Sequence, residues 1–448
     1  MKSVLLGAAA TLALVIAAPA AAEPDYAAAV RSDYSKSLAP LFDYFHRNPE
    51  LSFKEVNTAA RMAKELRAIP GMVVTEKVGG TGVVGVMKNG PGPVVLVRAD
   101  MDGLPVHEDS GLTNASIVRQ VDIDGVDKPV MHACGHDTHI TSLVGTARQL
   151  AAMKNRWKGT IVFIVQPAEE RIGGAKAMVK DGLYTRFPKP QYALAYHVAA
   201  DLVAGQVSAA EGLQYSSADS VEIDVPGVGA HGAAPHTGKD PVYMASQIVI
   251  ALQGLVSRER GPLTPAVITV GSFHAGLKSN IISDMAKLQI TVRANDETER
   301  KRLLDGITRV ARGVGVMNGM APDKMPVVRH TEGTGVTYND PALARRLNAV
   351  LANAVGADRQ VPMVQTDMGA EDFAEFVTPD SGVKGYYFMV GGTPQAAFDA
   401  EKAGGPPVPS HHSNLFKITP EPAITTGTIA MTAAVLDLLQ LASGAGGQ

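Results

Sequence analysis

The sequence predicts an α/β chain of two domains: a layered domain with a mostly parallel sheet, interrupted by a smaller α+β insertion of ferredoxin-like order. Three observations carry this. Apolar runs at Val94–Val97, Ile161–Val165 and Tyr192–Tyr196 alternate with helical stretches, as strands of a sheet covered on both faces do. After about residue 215 the pattern changes, and strand, helix, strand, strand, helix follow one another. The length of 448 residues exceeds what one core ordinarily supports.

Taken in order, the chain opens with Lys2, the apolar run Val4–Ala18 and the small residues Ala20–Ala22. That is the pattern of a signal peptide over 1–22, cleaved near Ala22; the run is too short to span a bilayer, so a secreted, periplasmic product is expected. Residues 26–68 read as helices, with Leu38, Leu41, Phe42 and Phe45 spaced for one buried face. The first part of the layered domain covers 23–215. Within it Ile140, Leu143, Val144, Ala147, Leu150 and Ala151 form a helical stripe. The insertion is expected over 216–330: an alternating strand at Val221–Val225, a helix from about Asp240 to Arg258, strands at Ala266–Val270 and Leu288–Arg293, and an amphipathic helix at Glu297–Val314. The layered domain resumes over 331–448 and closes with an Ala/Leu-rich helix at Glu421–Leu441.

Composition removes several classes of function. With 41 Lys+Arg against 44 Asp+Glu there is no basic footprint for nucleic acid and no polybasic membrane patch. A single cysteine excludes an intramolecular disulfide, a zinc ribbon and a thiolate-held iron–sulfur cluster. Gly227 and Gly229 open a glycine-rich loop, but no βαβ unit with a later acidic residue follows, which excludes a dinucleotide site.

The residues that could carry chemistry gather where strands end. The first apolar run stops in Arg98-Ala99-Asp100-Met101-Asp102, the second in Gln166-Pro167-Ala168-Glu169-Glu170, the third in His197. Ligands of open α/β sheets bind at the carboxyl ends of the strands, so these ends converge on one site. The densest segment is His132–His139, which holds three histidines and the only cysteine in eight residues. Gly135 between Cys134 and His136 lets both side chains turn toward one centre, and a thiolate there suits a metal. Adjacent Glu169 and Glu170 can divide the work of ligand and proton acceptor, although an exposed acid pair at a helix start would look the same. His197 and the doublet His411-His412 add further candidate ligands.

These segments together resemble the M20 amidohydrolases, in the branch of hippurate hydrolases, N-acyl-amino-acid amidohydrolases and auxin-conjugate hydrolases. The likeness rests on Phe45–Phe53, Arg98–Val106, His132–His139, Gln166–Glu170, Gly229–His236, Gly369–Phe373 and His412–Phe416, in order along the mature chain. The resemblance implies a two-metal catalytic domain and a lid domain that mediates homodimerisation. It implies metal ligands Cys134, His136, Glu170, His197 and His412, with Glu169 as general base and Asp102 as a carboxylate orienting a ligand. His412 is preferred over His411 because Phe416 completes a His-x-x-x-aromatic spacing. The role of Asp100 stays open. His231 would polarise the scissile carbonyl from the lid, and Asn280 and Arg293 would hold a substrate carboxylate. Asn414 and Ser283 depart from the family's prolines. The expected cofactors are two divalent metal ions per subunit, zinc by the thiolate, with manganese, cobalt or nickel as alternatives. The expected reaction is hydrolysis of the amide bond of an N-acyl amino acid by a metal-activated water. The competing readings are a dipeptidase or carboxypeptidase on the same scaffold and a non-catalytic metal-binding protein.

Overall fold

A computed structural model describes residues 24–440; the expected leader, 1–22, lies outside them. A seven-stranded sheet forms the centre of the larger domain. Its four inner strands, Gly159–Gln166, Val94–Asp100, Tyr192–Val203 and Lys384–Thr393, run parallel in that order. Antiparallel strands close both sides: Met72–Val78 and Gly82–Asn89 at one, Val207–Ser208 at the other. The unbroken apolar runs follow from this. Val95, Val97, Ile161, Phe163, Val165, Leu194 and Tyr196 face one core, while Leu96, Val162, Ile164, Ala193 and Ala195 face a second on the opposite side. A period of two with both faces covered makes nearly every strand position apolar, so that buried Arg98 and His197 stand out.

The first core is roofed by the helices His136–Ala152 and Pro420–Leu438, the latter ending short of the expected Leu441. The second is covered by Gly174–Lys180 and the short 3₁₀ turn Asp372–Phe376. Among the described residues no helix is long and apolar enough to cross a membrane.

The insertion has its own hydrophobic core. Its strands Ala266–Ala275, Met285–Ala294, Ser217–Pro226 and Val327–Thr334 lie side by side in that order, all antiparallel. Helices Pro241–Ser257 and Glu297–Met317 supply Met244, Ile248, Leu252, Leu303 and Ile307 to that core. This is a complete ferredoxin-like sandwich, not the half visible in the sequence. Its last strand pairs Ala218 with Thr334, so the unit runs past the boundary expected at 330. That strand was missed because most of its residues are solvent-exposed, which removes the apolar signal.

Candidate metal centre

Four segments meet at the candidate centre: the turn before the helix at His136, the strand carrying His197, the turn carrying Glu169 and Glu170, and the loop carrying His412. Gly135 adopts φ 80° just before the helix beginning at His136, and a Cβ there would stand 2.3 Å from Val198 Cγ1. Only glycine fits that left-handed, crowded position, and it turns Cys134 and His136 into the same space. His197 lies within its strand, level with Met389 of the neighbouring strand. His412 sits on a loop tied to this segment by its own N–H, which donates to Ala133 O at 2.9 Å. It too has positive φ, 65°.

The ligand atoms fall into overlapping groups. Cys134, His136 and His197 form one, Cys134, Glu170 and His412 another, His136, Glu169 and Glu170 a third; within each, all ligand atoms lie within 4.8 Å of one another. Cys134 Sγ is 3.3 Å from His197 Nε2. Two ligands on one tetrahedral zinc stand about 3.5 Å apart, from bond lengths of roughly 2.0–2.3 Å. His197 Nδ1 donates to Val198 O at 2.6 Å, which leaves Nε2 with its lone pair toward the sulfur. Burial, aided by the nearby imidazoles of His139 and His411, holds His197 well below the usual histidine range, hence neutral.

Among the described residues, neither ring nitrogen of buried His132 or of buried His136 has a hydrogen-bond partner. His136 differs in what surrounds it. Its Nε2 faces three carboxylates: Asp100 Oδ2 at 3.5 Å, Glu170 Oε1 at 3.9 Å and Glu169 Oε2 at 4.0 Å. Nδ1 lies 3.4 Å from Asp102 Oδ1. Glu170 Oε1 is likewise buried without a hydrogen bond, and Glu170 Oε2 is 3.5 Å from His412 Nε2. Orphaned donors and acceptors with this spacing are the mark of cation ligands rather than of a hydrogen-bonded core.

The electrostatics agree. Burial first, then the carboxylates of Glu170 and Glu169, push the Cys134 thiol well up. Burial pushes Glu170 up to about 8, and burial with Glu371 and Glu170 beside it drives Glu169 well above the carboxylate range. These groups cannot all ionise together in a dry site; a divalent cation reverses that balance. The residues present therefore fit divalent metal.

The turn carrying Glu169 and Glu170 is pinned by buried carboxylates. Asp102 accepts from Glu169 N and Glu170 N, both at 3.1 Å, and from Ser52 Oγ at 2.6 Å. Glu55 accepts from Ala168 N at 2.8 Å. Ala168 and Ile172, on either side of the pair, have φ of 47° and 50°. Non-glycine residues in that region cost about 1–3 kcal/mol each and persist where surroundings over-determine them.

Asp100 and His411 also find their places. Asp100 accepts from His139 Nδ1 at 2.5 Å and pairs with Arg98 Nη1 at 2.8 Å. His139 Nε2 in turn accepts from Val198 N, so that histidine is occupied on both sides. His411 Nε2 accepts from Ala200 N at 3.1 Å, whereas His412 Nε2 is the nitrogen turned to Glu170. Sequence reasoning missed Glu55, Glu371 and Asp372, and the burial of Arg98. Glu371 and Asp372 fall within the motif Gly369–Phe373, and Arg98 opens the motif Arg98–Val106, but neither motif shows what these side chains bond to.

The lid residues form a separate group. His231, exposed, lies on the two-residue strand Ala230–His231, opposite Ile281. Its Nδ1 accepts from Ala233 N at 3.0 Å, which places the proton on Nε2 as a free donor. Asn280 O accepts from Gly232 N at 2.8 Å, holding the two loops together. The side chain of Arg293, half-buried on Met285–Ala294, makes no hydrogen bond or ion pair with any of the described residues. Burial lowers its pKa, with Asp219 opposing.

Fold and site define a two-domain α/β metallohydrolase. The family model for peptidase family M20/M25/M40 matches residues 96–403. The chain is 36% identical over 349 residues to thermostable carboxypeptidase 2 of Saccharolobus solfataricus, covering 77% of this chain and 83% of that one. It is 40% identical over 274 residues to the hippurate hydrolase of Campylobacter jejuni, covering 61% and 68% respectively. A solved Bacillus subtilis dinuclear metal-binding M20 peptidase overlays with a TM-score of 0.72 at 26% identity, covering 92% of this chain and 99% of that one. The chain belongs to the M20 family, and it is a hydrolase that cleaves amide bonds with divalent metal ions.

Proposed function

We propose that the protein is an N-acyl-amino-acid amidohydrolase with two divalent ions per subunit, zinc by preference for the thiolate. The observation that carries this is the split between the adjacent glutamates. Glu170 stands with Cys134 and His412, while Glu169 belongs to neither cysteine-containing group. In this reading Cys134, His136, His197, Glu170 and His412 hold the metal, and Asp102 orients His136 from its Nδ1 side. When bound, the metal lowers the pKa of water from 15.7 toward about 7 and polarises the carbonyl. Glu169 takes the water's proton and passes it to the leaving amine. His231 donates from Nε2 to the oxyanion. Arg293, unpaired and half-buried, receives the substrate carboxylate with Asn280 beside it; its planar fork suits that group.

The relatives' names support the substrate class: a hippurate hydrolase cleaves an N-acyl amino acid, and a carboxypeptidase also acts next to a carboxylate. The lid's free His231 favours a homodimer in which one subunit's lid serves its partner's site. The Val4–Ala18 run favours export to the periplasm with cleavage near Ala22; N-terminal sequencing of the exported protein tests it.

The testing experiment is a panel assayed with metal-loaded protein: N-benzoyl and N-acetyl amino acids, their carboxamides, and unblocked dipeptides. Blocked amino acids with a free carboxylate should be turned over best. Arg293→Ala should raise KM for them by about 10- to 100-fold and leave the carboxamides nearly unchanged, since a charged hydrogen bond is worth about 1.5–3 kcal/mol. Preference for unblocked dipeptides would transfer the protein to the dipeptidase reading.

A further inference from the structure

The motif Gly369–Phe373 has as yet no role in the chemistry, although Glu371 and Asp372 each bring a carboxylate oxygen within 4.8 Å of one of Glu169. Glu371, Asp372, Arg98 and Gln166 are all buried. Arg98 donates to both carboxylate oxygens of Glu371, at 2.6 and 3.1 Å, and Tyr387 OH adds a third bond at 2.6 Å. Arg98 Nε donates to Gln166 Oε1 at 2.8 Å. That fixes the amide of Gln166 with its Nε2 directed at Asp372 Oδ1, 2.5 Å away. The other oxygen of Asp372 accepts from Ala175 N at 3.0 Å.

Gln166 ends its strand and Ala175 lies in the first turn of the following helix, so one carboxylate joins both ends of the loop between them. That loop holds Ala168, Glu169, Glu170 and Ile172, including the two left-handed residues. It folds back sharply: Gly174 N donates to Ala168 O at 3.1 Å, and a Cβ on Gly174 would stand 1.5 Å from Pro167 O. A loop closed this tightly over strained residues keeps its shape only while its ends are held.

We propose that Asp372 is a positioning residue for amide hydrolysis, stapling the loop 167–174 so that Glu169 stays aimed at the attacking water. The staple works through complementarity: Gln166 donates, Asp372 accepts, and Arg98 decides which way the amide faces. It reaches the reaction only through Glu169, and so it rests on the reading of Glu169 as base. A displacement of about 1 Å at a reacting group costs about a hundredfold in rate.

The test is an exchange of the pair. Asp372→Asn sets an amide donor against the Gln166 donor. The double variant Gln166→Glu/Asp372→Asn restores an acceptor opposite a donor, keeps the Arg98 Nε bond to residue 166 and the Ala175 bond available, gives up only the long 3.4 Å contact of Arg98 Nη2 with Asp372 Oδ1, and leaves the net charge unchanged. On the best panel substrate, Asp372→Asn should lower kcat about a hundredfold with KM within about threefold and full metal content. The exchange should return kcat to within about tenfold of wild type. Adding Asp372→Asn to Glu169→Gln should cost nothing further, because groups acting through one another are not additive. The proposal is overturned if Asp372→Asn keeps kcat within about threefold, if a folded, metal-replete exchange variant stays as slow as Asp372→Asn, or if the losses from Asp372→Asn and Glu169→Gln multiply. Should Asp372→Asn fail to fold, the exchange variant decides: near-wild-type turnover supports the staple, and inactivity or failure to fold overturns it. Failure of the base assignment reads differently, as turnover retained by Glu169→Gln itself.

Discussion

The two halves of the proposed active site are built on opposite principles. On the catalytic domain, Glu169 and Glu170 ride on a turn whose backbone N–H groups are bonded to Asp102 and Glu55, with Asp372 closing the loop. On the lid, His231 and Asn280 are exposed and the Arg293 side chain is unpaired among the described residues. The first half is organised before substrate arrives, with its strain already borne by buried hydrogen bonds. The second offers the free donors of His231, Asn280 and Arg293 and no carboxylate to meet them, so it is completed by what binds. Electrostatic stabilisation works best from fixed groups, whereas specificity can be left to a surface that closes. The comparison can be broken from either side.

The largest effect belongs to the organised half. Glu169→Gln should keep its metal and lose turnover by more than about 10³-fold, because it deletes the proton acceptor and no ligand. Glu170→Gln should instead release metal, and raising the metal concentration should restore part of its activity. Metal analysis beside kinetics separates them. Equal metal loss in both variants would erase the division of labour.

On the lid side, His231→Ala should fold, keep full metal and slow turnover about 10²–10³-fold, the usual cost of one oxyanion donor. If the partner's site is the one served, mixing His231→Ala with Glu169→Gln under verified subunit exchange should restore activity. Random exchange at equal amounts gives about a quarter of wild-type turnover, since half the dimers are mixed and each has one intact site. No recovery would place His231 in its own subunit's site or outside catalysis.

The same contrast explains what was legible in the sequence. Glu169 and Glu170 follow the abrupt end of an apolar strand, His197 interrupts another, and Cys134 and His136 lie in a segment dense in metal-ligand side chains, all visible without knowing the fold. Gly135 could be read too, because a glycine between two candidate ligands has a conformational reason. Glu371 and Asp372 could not. They sit some two hundred positions from Gln166, and only the parallel pairing of Lys384–Thr393 with Tyr192–Val203 brings their segment beneath Glu169. Glu55 was hidden for a similar reason: two carboxylate oxygens bonding to Thr81, Phe53 and Ala168 leave no local pattern. The strand that carries the insertion on to Thr334 left no mark because, exposed on the lid, it has no apolar run.

The smallest effect on turnover concerns stability, and it again distinguishes the organised half. His46 is buried under the helix that carries His136, with Nδ1 2.7 Å from Asp137 Oδ2 and Nε2 3.3 Å from Glu108 Oε1. Burial opposes its charge, but the bonds to Asp137 and Glu108 prevail and raise its pKa to about 10, against 6.5 for the free group. A group whose folded pKa is raised stabilises the fold fully below its unfolded pKa and ceases to do so as pH passes the folded one. The contribution of His46 is therefore complete below pH 6.5 and is lost between 6.5 and about 10. His46→Gln keeps a hydrogen-bonding side chain without the charge and should remove this dependence. Urea unfolding at stepped pH should show the stability difference, wild type minus variant, shrinking across that window by up to about 1.4 kcal/mol per pH unit. Glu108 and Asp137 face His46 in both proteins, so their own titration below pH 6 limits the comparison to the alkaline side. Turnover at pH 7 should change little, because His46 touches none of the proposed ligands. A difference that stays constant from pH 6.5 to 10 would mean that His46 is neutral in the folded protein and that Asp137 and Glu108 are stabilised by something else.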